Sequence, residues 1–335
     1  MFVIEFLAIS VVIYLAIALG LVISQRPHWS PPAQGEGLAF GEMLQGDAGD
    51  LKLLTHFTVR DRTALAYRRY ESAQPSNRIL ILVHGSSWHG MQFHEMASRI
   101  AGEGAATVIL PDMRGHGFDP VRRGDVDHIG QLEEDMADLI DFLRREHADA
   151  QIMLGGHSSG GGFAVRFAGG DYGSKADAFA LMAPFLKYDA PTTRPHSGGW
   201  ARPAIRRIIG LSMLNAVGIR LFNGLNEISF AMPRAVMDGP YGKTATVLYS
   251  HRLNVSFAPR PDYRKDLKAI RQPLLVLVGE ADESFVAEQY ESVISACTPT
   301  GTYHVLPGVT HLGIVSDKHA IDIVAKWVAH LPAHG

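Results

Sequence analysis

The segment that most constrains this chain runs from residue 152 to 168. The apolar run Ile152-Met153-Leu154 leads directly into Gly156-His157-Ser158-Ser159-Gly160, and Phe163, Ala164, Val165, Phe167 and Ala168 follow. A short apolar run reads as a buried strand, and the later spacing reads as a helix. A Gly-x-Ser-x-Gly between strand and helix is a nucleophile elbow, a turn so sharp that the serine hydroxyl stands clear of the backbone at the head of the helix. Glycine is needed at both ends, because a side chain there would collide with the neighbouring strand and helix. The motif points to covalent chemistry at Ser158 and requires a strand–turn–helix unit around it.

The flanking sequence repeats that unit. His56–Val59 and Ala64–Tyr70 suggest an antiparallel hairpin around Arg60-Asp61-Arg62-Thr63. Strands are then predicted at Arg78–Val83, Thr107–Leu110, Ile152–Leu154 and Ala178–Met182. Helices are predicted at Met91–Ala101 and through Leu132, Met136, Leu139, Ile140 and Leu143. The alternation stops at Pro184. It resumes with strands at Pro273–Val278 and Tyr303–Leu306 and helices at Val286–Ala296 and from Lys318 to Leu331. Such alternation implies one largely parallel sheet with helices on both faces, interrupted by an irregular, partly helical insertion. The expected divisions are an anchor at 1–25, a linker at 26–50, a core at 51–184 and 267–335, and an insertion at 185–266.

The N-terminus differs in kind. From Phe2 to Ile23 only Glu5, Ser10 and Gly20 break an apolar run long enough to cross a bilayer as one helix. It has no Lys or Arg before it and exceeds the usual apolar core of a signal peptide, so a retained single-pass anchor is expected over a cleaved signal. Arg26 alone leans the rest of the chain toward the cytoplasmic side, and the side is left open. Of the 335 residues, 47% are hydrophobic and 19% charged, with a net charge of −3. That balance suits a globular core and gives no footprint for nucleic acid. The one cysteine, Cys297, excludes an internal disulfide and reads as a small core residue.

A serine needs a base to become nucleophilic, and the base needs an orienting carboxylate. On a sheet of this kind the partners follow in the order serine, acid, histidine. Gly279-Glu280-Ala281-Asp282 follows one late strand and Pro307-Gly308-Val309-Thr310-His311 follows the next, both at the sheet edge that carries the elbow. Asp282 is assigned as the acid, with Glu280 and Glu283 as competitors, and His311 as the base. Two backbone N–H groups should hold the developing oxyanion. One is that of Ser159, at the positive end of a helix. The other is that of Ser86, in the loop His84-Gly85-Ser86-Ser87. Asp112 and Arg114 are expected to tie loops together near the site rather than to react.

With 16 histidines, metal binding is the chemical rival. His84, His89 and His94 recur every five residues, which suits neither a helix face nor a strand face, and there is no His-Glu-x-x-His or cysteine cluster. No metal is expected. No Gly-x-Gly-x-x-Gly follows a strand, so no cofactor is implied.

Together the His84-Gly85 loop, Asp112–Gly117, the elbow, Gly279–Asp282 and His311 resemble the α/β-hydrolase superfamily in order and spacing, from about Leu51 to His330. Within it the chain is similar to the serine aminopeptidase and lysophospholipase branch, which includes monoacylglycerol lipases. The resemblance implies an α/β-hydrolase sheet flanked by helices, with a helical cap inserted after the sixth strand. It departs from the monoacylglycerol lipase pattern at Ser86-Ser87-Trp88-His89, where the glutamate is absent, and at Ser159, where Met or Gln is common. The implied activity is hydrolysis of carboxylic esters through an acyl-enzyme. The insertion carries Met213, Leu214, Val217, Ile219, Leu221, Phe222, Ile228, Phe230 and Met232, with Arg202, Arg206, Arg207 and Arg220. An apolar inner face would suit an acyl chain, and a basic outer face beside an anchor would suit anionic headgroups. A lipid-like ester, of monoacylglycerol or lysophospholipid type, is therefore the expected substrate, and the membrane the expected partner. An amidase or peptidase, an acyltransferase, and a non-catalytic tethered binding module remain as alternatives.

Overall fold

The computed structural model of the chain describes residues 2–33, 37–40 and 51–332. Of the expected linker, residues 34–36 and 41–50 lie outside the described residues. The main sheet has eight strands: β1 (Thr55–Thr58), β2 (Ala64–Tyr70), β3 (Arg78–Val83), β4 (Thr107–Pro111), β5 (Gln151–His157), β6 (Ala178–Met182), β10 (Leu274–Gly279) and β11 (Gly301–Leu306). Their spatial order is β1-β2-β4-β3-β5-β6-β10-β11. The pairs β1–β2 and β2–β4 are antiparallel and the rest parallel. The expected strands differ from these only by residues at their ends.

Period-2 side-chain alternation sorts the apolar residues of each strand to two faces. On one face Leu80 and Leu82 join Val108 and Leu110 beneath Met96 and Ile100 of α2 (His94–Gly102) and Ile321 and Val324 of α10 (Lys318–His330). On the other, Ile79 and Ile81 join Leu139 and Ile140 of α3 (Gln131–Glu146) and Phe163 and Phe167 of α4 (Ser159–Ala168). Both faces are covered, so the central strands read as unbroken apolar runs. The helix expected from Met91 starts instead as a tight turn at Gly90–Phe93 before α2. Cys297 is half-buried and packs against the core edge.

Between β6 and β10 the insertion departs from expectation. It holds a second sheet of β7 (Ala201–Pro203), β8 (Asn226–Phe230) and β9 (Leu248–Ser250), antiparallel throughout. Around it lie α5 (Ile205–Ala216), α6 (Arg234–Met237), α7 (His251–Phe257) and α8 (Tyr263–Ala269). The strands have three to five residues, too few for an alternating pattern to stand out from the turns. Helix α9 (Gln289–Ser295) completes the core, three residues later at its start than the apolar spacing predicts.

The N-terminal helix α1 (Phe2–Ser24) has 23 residues and is long and apolar enough to cross a membrane. Its first half is exposed. In its second half, Ala18 and Val22 are buried against Leu211 and Leu214 of α5, with Met213, Ile219 and Phe222 around them. Several apolar residues expected to face an acyl chain therefore cover α1 instead. The basic outer face also needs correction. Arg207 is buried and donates to the Val22 carbonyl at 3.0 Å, and Arg206 donates to Ser24 at 3.1 Å. The last carbonyls of a helix have no partners within it, and these guanidinium groups satisfy them.

Candidate active site

Strand β5 runs straight into the elbow. Ser158 sits at φ 54°, ψ −118°, a conformation that a non-glycine residue holds only when its surroundings enforce it. Two backbone bonds do so: its N–H donates to Met182 O at 2.9 Å, and its carbonyl accepts from Phe185 N at 2.9 Å. Both elbow glycines are required. A Cβ on Gly156 would lie 2.4 Å from the carbonyl carbon of Gly160, and one on Gly160 would lie 2.2 Å from Val83 O in β3. The first collision is with the helix and the second with the strand.

Asp282 and His311 follow β10 and β11 and meet. His311 Nδ1 lies 2.7 Å from Asp282 Oδ2, with both residues buried. The other carboxylate oxygen of Asp282 accepts the N–H groups of Ser284 and Phe285, each at 2.8 Å. The turn-capping role and the histidine contact are thus filled by different oxygens of one group. The competitors point elsewhere. Glu280 accepts from Gly308 N at 3.1 Å, and Glu283 accepts from the backbone N of His311 at 2.8 Å. Asp282 as acceptor leaves Nδ1 protonated and Nε2 free to take a proton.

Ser158 and His311 line the same cavity. Among the described residues no hydrogen bond joins the Ser158 hydroxyl to the imidazole, a leg that commonly tightens only when substrate binds. Ser159 opens α4, so its N–H is among those a helix leaves unpaired at its first turn. Ser86 lines the cavity, and its hydroxyl accepts from Trp200 Nε1 at 2.9 Å.

The loop carrying Ser86 is fixed by residues that the sequence did not single out. The amide of Gln92 spans it: Oε1 accepts from Gly85 N at 2.7 Å, and Nε2 donates to His157 Nδ1 at 2.9 Å. His157 Nε2 then donates to the carbonyl of His311 at 2.9 Å. One side-chain chain of bonds therefore links the Ser86 loop, the elbow and the histidine loop. Burial, and then the nearby His311, holds His157 well below the ordinary imidazole range, so it serves as a neutral bridge.

A second chain comes from the insertion. The Ser87 N–H donates to the Tyr249 hydroxyl at 2.7 Å, which in turn donates to His116 Nε2 at 2.6 Å. Ser87 itself sits at φ 70°. Burial lowers His84 to about 4 and His116 well below its usual value. Asp112 and Arg114 are structural ties. Asp112 accepts from Gly90 N at 2.9 Å, and Arg114 forms a fork on Asp135 through Nε and Nη2, each at 2.7 Å. Gln92, Trp200 and Tyr249 gave no sequence signal, because their roles depend on partners 7 to 162 residues away.

The remaining cavity walls are Trp88, Trp200, Leu312, Leu38 and Phe40. The cavity volume is about 20 Å³, room for little more than one water. Among the described residues no group of three or more His, Cys, Asp or Glu side chains is placed to hold a metal.

An eight-stranded sheet with its second strand antiparallel, a strained serine after β5 and an Asp–His pair after the last two strands define the α/β-hydrolase fold. The chain has that fold, and residues 74–227 match the model of a family described as serine aminopeptidase, S33. A monoacylglycerol lipase of Mycolicibacterium smegmatis is 28% identical over 106 residues, 32% of this chain and 37% of that protein. The chain thus spans only about a third of the length of this curated relative. Among solved structures, a soluble variant of the Saccharomyces cerevisiae monoglyceride lipase superposes with TM-score 0.62 at 15% identity, over 85% of this chain and 97% of that one. The Paleococcus ferrophilus monoacylglycerol lipase gives 0.58 at 21%, over 80% and 99%. At these identities the structural likeness speaks to the fold alone.

Proposed function

We propose that this chain is a serine hydrolase that cleaves carboxylic esters through an acyl-enzyme. The observation that carries the reading is the buried His311–Asp282 contact of 2.7 Å, opening onto the cavity that holds the strained Ser158. Ser158 Oγ attacks the ester carbonyl while His311 Nε2 takes its proton. The tetrahedral oxyanion is held by the N–H groups of Ser86 and Ser159. His311 then returns the proton to the leaving alcohol, and water repeats the cycle on the acyl-enzyme. Asp282 keeps the proton on Nδ1 and stabilises the imidazolium.

The substrate is a lipid-like ester of monoacylglycerol or lysophospholipid type. The aromatic and aliphatic cavity walls and the lipase relative support this. Residues 1–25 anchor the protein in a bilayer as a single retained span, 51–184 and 267–335 form the catalytic core, and 185–266 cap it.

The test is labelling of the full-length protein with a fluorophosphonate, together with turnover of p-nitrophenyl esters. The wild type should label and turn over. Ser158→Ala should lose both, since removing a triad member leaves only the ~10³–10⁴-fold catalysis of binding and the oxyanion hole. Equal labelling of the variant would remove Ser158 from the chemistry.

A further inference from the structure

We infer that Leu38 and Phe40, on the segment between the apolar N-terminal helix and the core, form the yielding wall of the acyl site and limit the acyl chain the enzyme accepts. The inference rests on the serine-hydrolase reading and names the specificity of that same site.

Both side chains line the cavity that holds Ser158 and His311. Phe40 is buried, and its ring lies 5.7 Å from that of Trp200, whose indole N–H donates to Ser86. Two hydrogen bonds from its described backbone N–H groups hold the segment at the site. Gly37 N donates to Gly198 O at 3.1 Å, and Ala39 N donates to Glu283 Oε1 at 3.0 Å. The other oxygen of Glu283 accepts the backbone N–H of His311. One carboxylate therefore clamps the strap and the base's loop together, which sets Leu38 and Phe40 in register with the reacting groups.

The walls differ in how firmly they are built. Trp88 and Leu312 belong to loops rooted in the main sheet, and Gly85, Gln92 and His157 are locked by their shared hydrogen bonds. The described strap residues 37–40 contribute to no sheet or helix. Among the described residues, its hold includes the Phe40–Trp200 contact, the two hydrogen bonds and the packing of both side chains on the core edge. In a cavity this small, a long acyl chain must displace the strap and lose the aromatic contact, whereas an acetyl group displaces less of the wall. Truncating Phe40 lowers that cost more for long chains than for short ones.

The experiment compares kcat/KM on p-nitrophenyl acetate and p-nitrophenyl decanoate for the full-length chain in one detergent, as wild type, Phe40→Ala and Leu38→Ala. The decanoate-to-acetate ratio should rise about threefold to tenfold in Phe40→Ala, the range an aromatic pair contributes, and by a smaller factor in Leu38→Ala. An unchanged or lowered ratio in both variants overturns the inference. If Phe40→Ala also loses acetate turnover, the ratio in Leu38→Ala decides. A wild type that neither labels with fluorophosphonate nor cleaves acetate defeats the underlying esterase reading, a result distinct from an unchanged ratio in an active enzyme.

Discussion

A Cβ on Gly160 would lie 2.2 Å from the carbonyl oxygen of Val83, and a Cβ on Gly210 would lie 2.5 Å from that of Ala18. The first contact closes the elbow against β3 and the second closes α5 against α1. The same device, a missing side chain that lets backbones touch, serves two regions with different surroundings. At the elbow both partners are fully buried, with strands on each side, so neither can retreat. At the crossing of α1 and α5, one partner is a helix fully buried only at Ala18 and Val22, with open space on its far side. The comparison teaches that an equally close approach carries unequal weight, set by whether the neighbour can move.

The largest effect should therefore come from Gly160→Val. Overpacking a well-packed interior costs about 1–3 kcal/mol and more where no relaxation is available, so a loss of about 3 kcal/mol or more is expected. Thermal unfolding would register it as a lowered Tm, accompanied by loss of fluorophosphonate labelling. A variant that kept wild-type Tm and labelling would show that the elbow can open, and the contrast would fail from that side.

Gly210→Leu tests the other side. The clash again costs about 1–3 kcal/mol, but leucine recovers about 0.8 kcal/mol of helix propensity, and α1 can move away. A net loss of about 1 kcal/mol is expected, which is roughly 2–4 °C in Tm for a domain of this size. Fluorophosphonate labelling should persist, because α5 and α1 touch neither Ser158 nor His311. Loss of labelling in this variant would mean that the α1 contact is transmitted through the insertion to the Ser86 loop, making the two regions one unit.

Legibility in the sequence follows the same division. Gly156 and Gly160 meet each other across four residues, so the elbow was readable as a motif, and the strands flanking it were readable as apolar runs. Asp282 and His311 were placed by strand order, which one sheet topology dictates. Gly210 gave no such signal. Its partners, Ala18 and Val22, lie nearly two hundred residues upstream, and an apolar α5 is equally consistent with a cap facing substrate. The same reason hid Gln92, an ordinary polar residue until the fold brings it between Gly85 and His157, and Glu283, whose two oxygens serve two distant backbone groups. Arg207 read as surface charge because its acceptor is the end of a helix that docks only in three dimensions.

Acid should also separate the two regions. Around the elbow, burial holds His84, His116 and His157 below the ordinary imidazole range, with His84 at about 4. In the unfolded chain each titrates near about 6.5. Below that pH the unfolded state binds protons that the native state refuses, so stability falls as pH drops from about 6.5 toward 4, by at most about 1.4 kcal/mol per pH unit for each histidine. The contact of α1 with α5 is closed by Arg206 and Arg207 and holds none of these histidines. Denaturant midpoints measured from pH 7.5 to 5 should therefore decline in the wild type. His116→Gln, which retains an acceptor for Tyr249, should make that decline shallower by up to one histidine's share, whereas Gly210→Leu should displace the curve by the same amount at every pH. An unaltered slope in His116→Gln would mean that His116 takes up its proton in the native state, breaking the neutral chain from Tyr249 to the Ser86 loop.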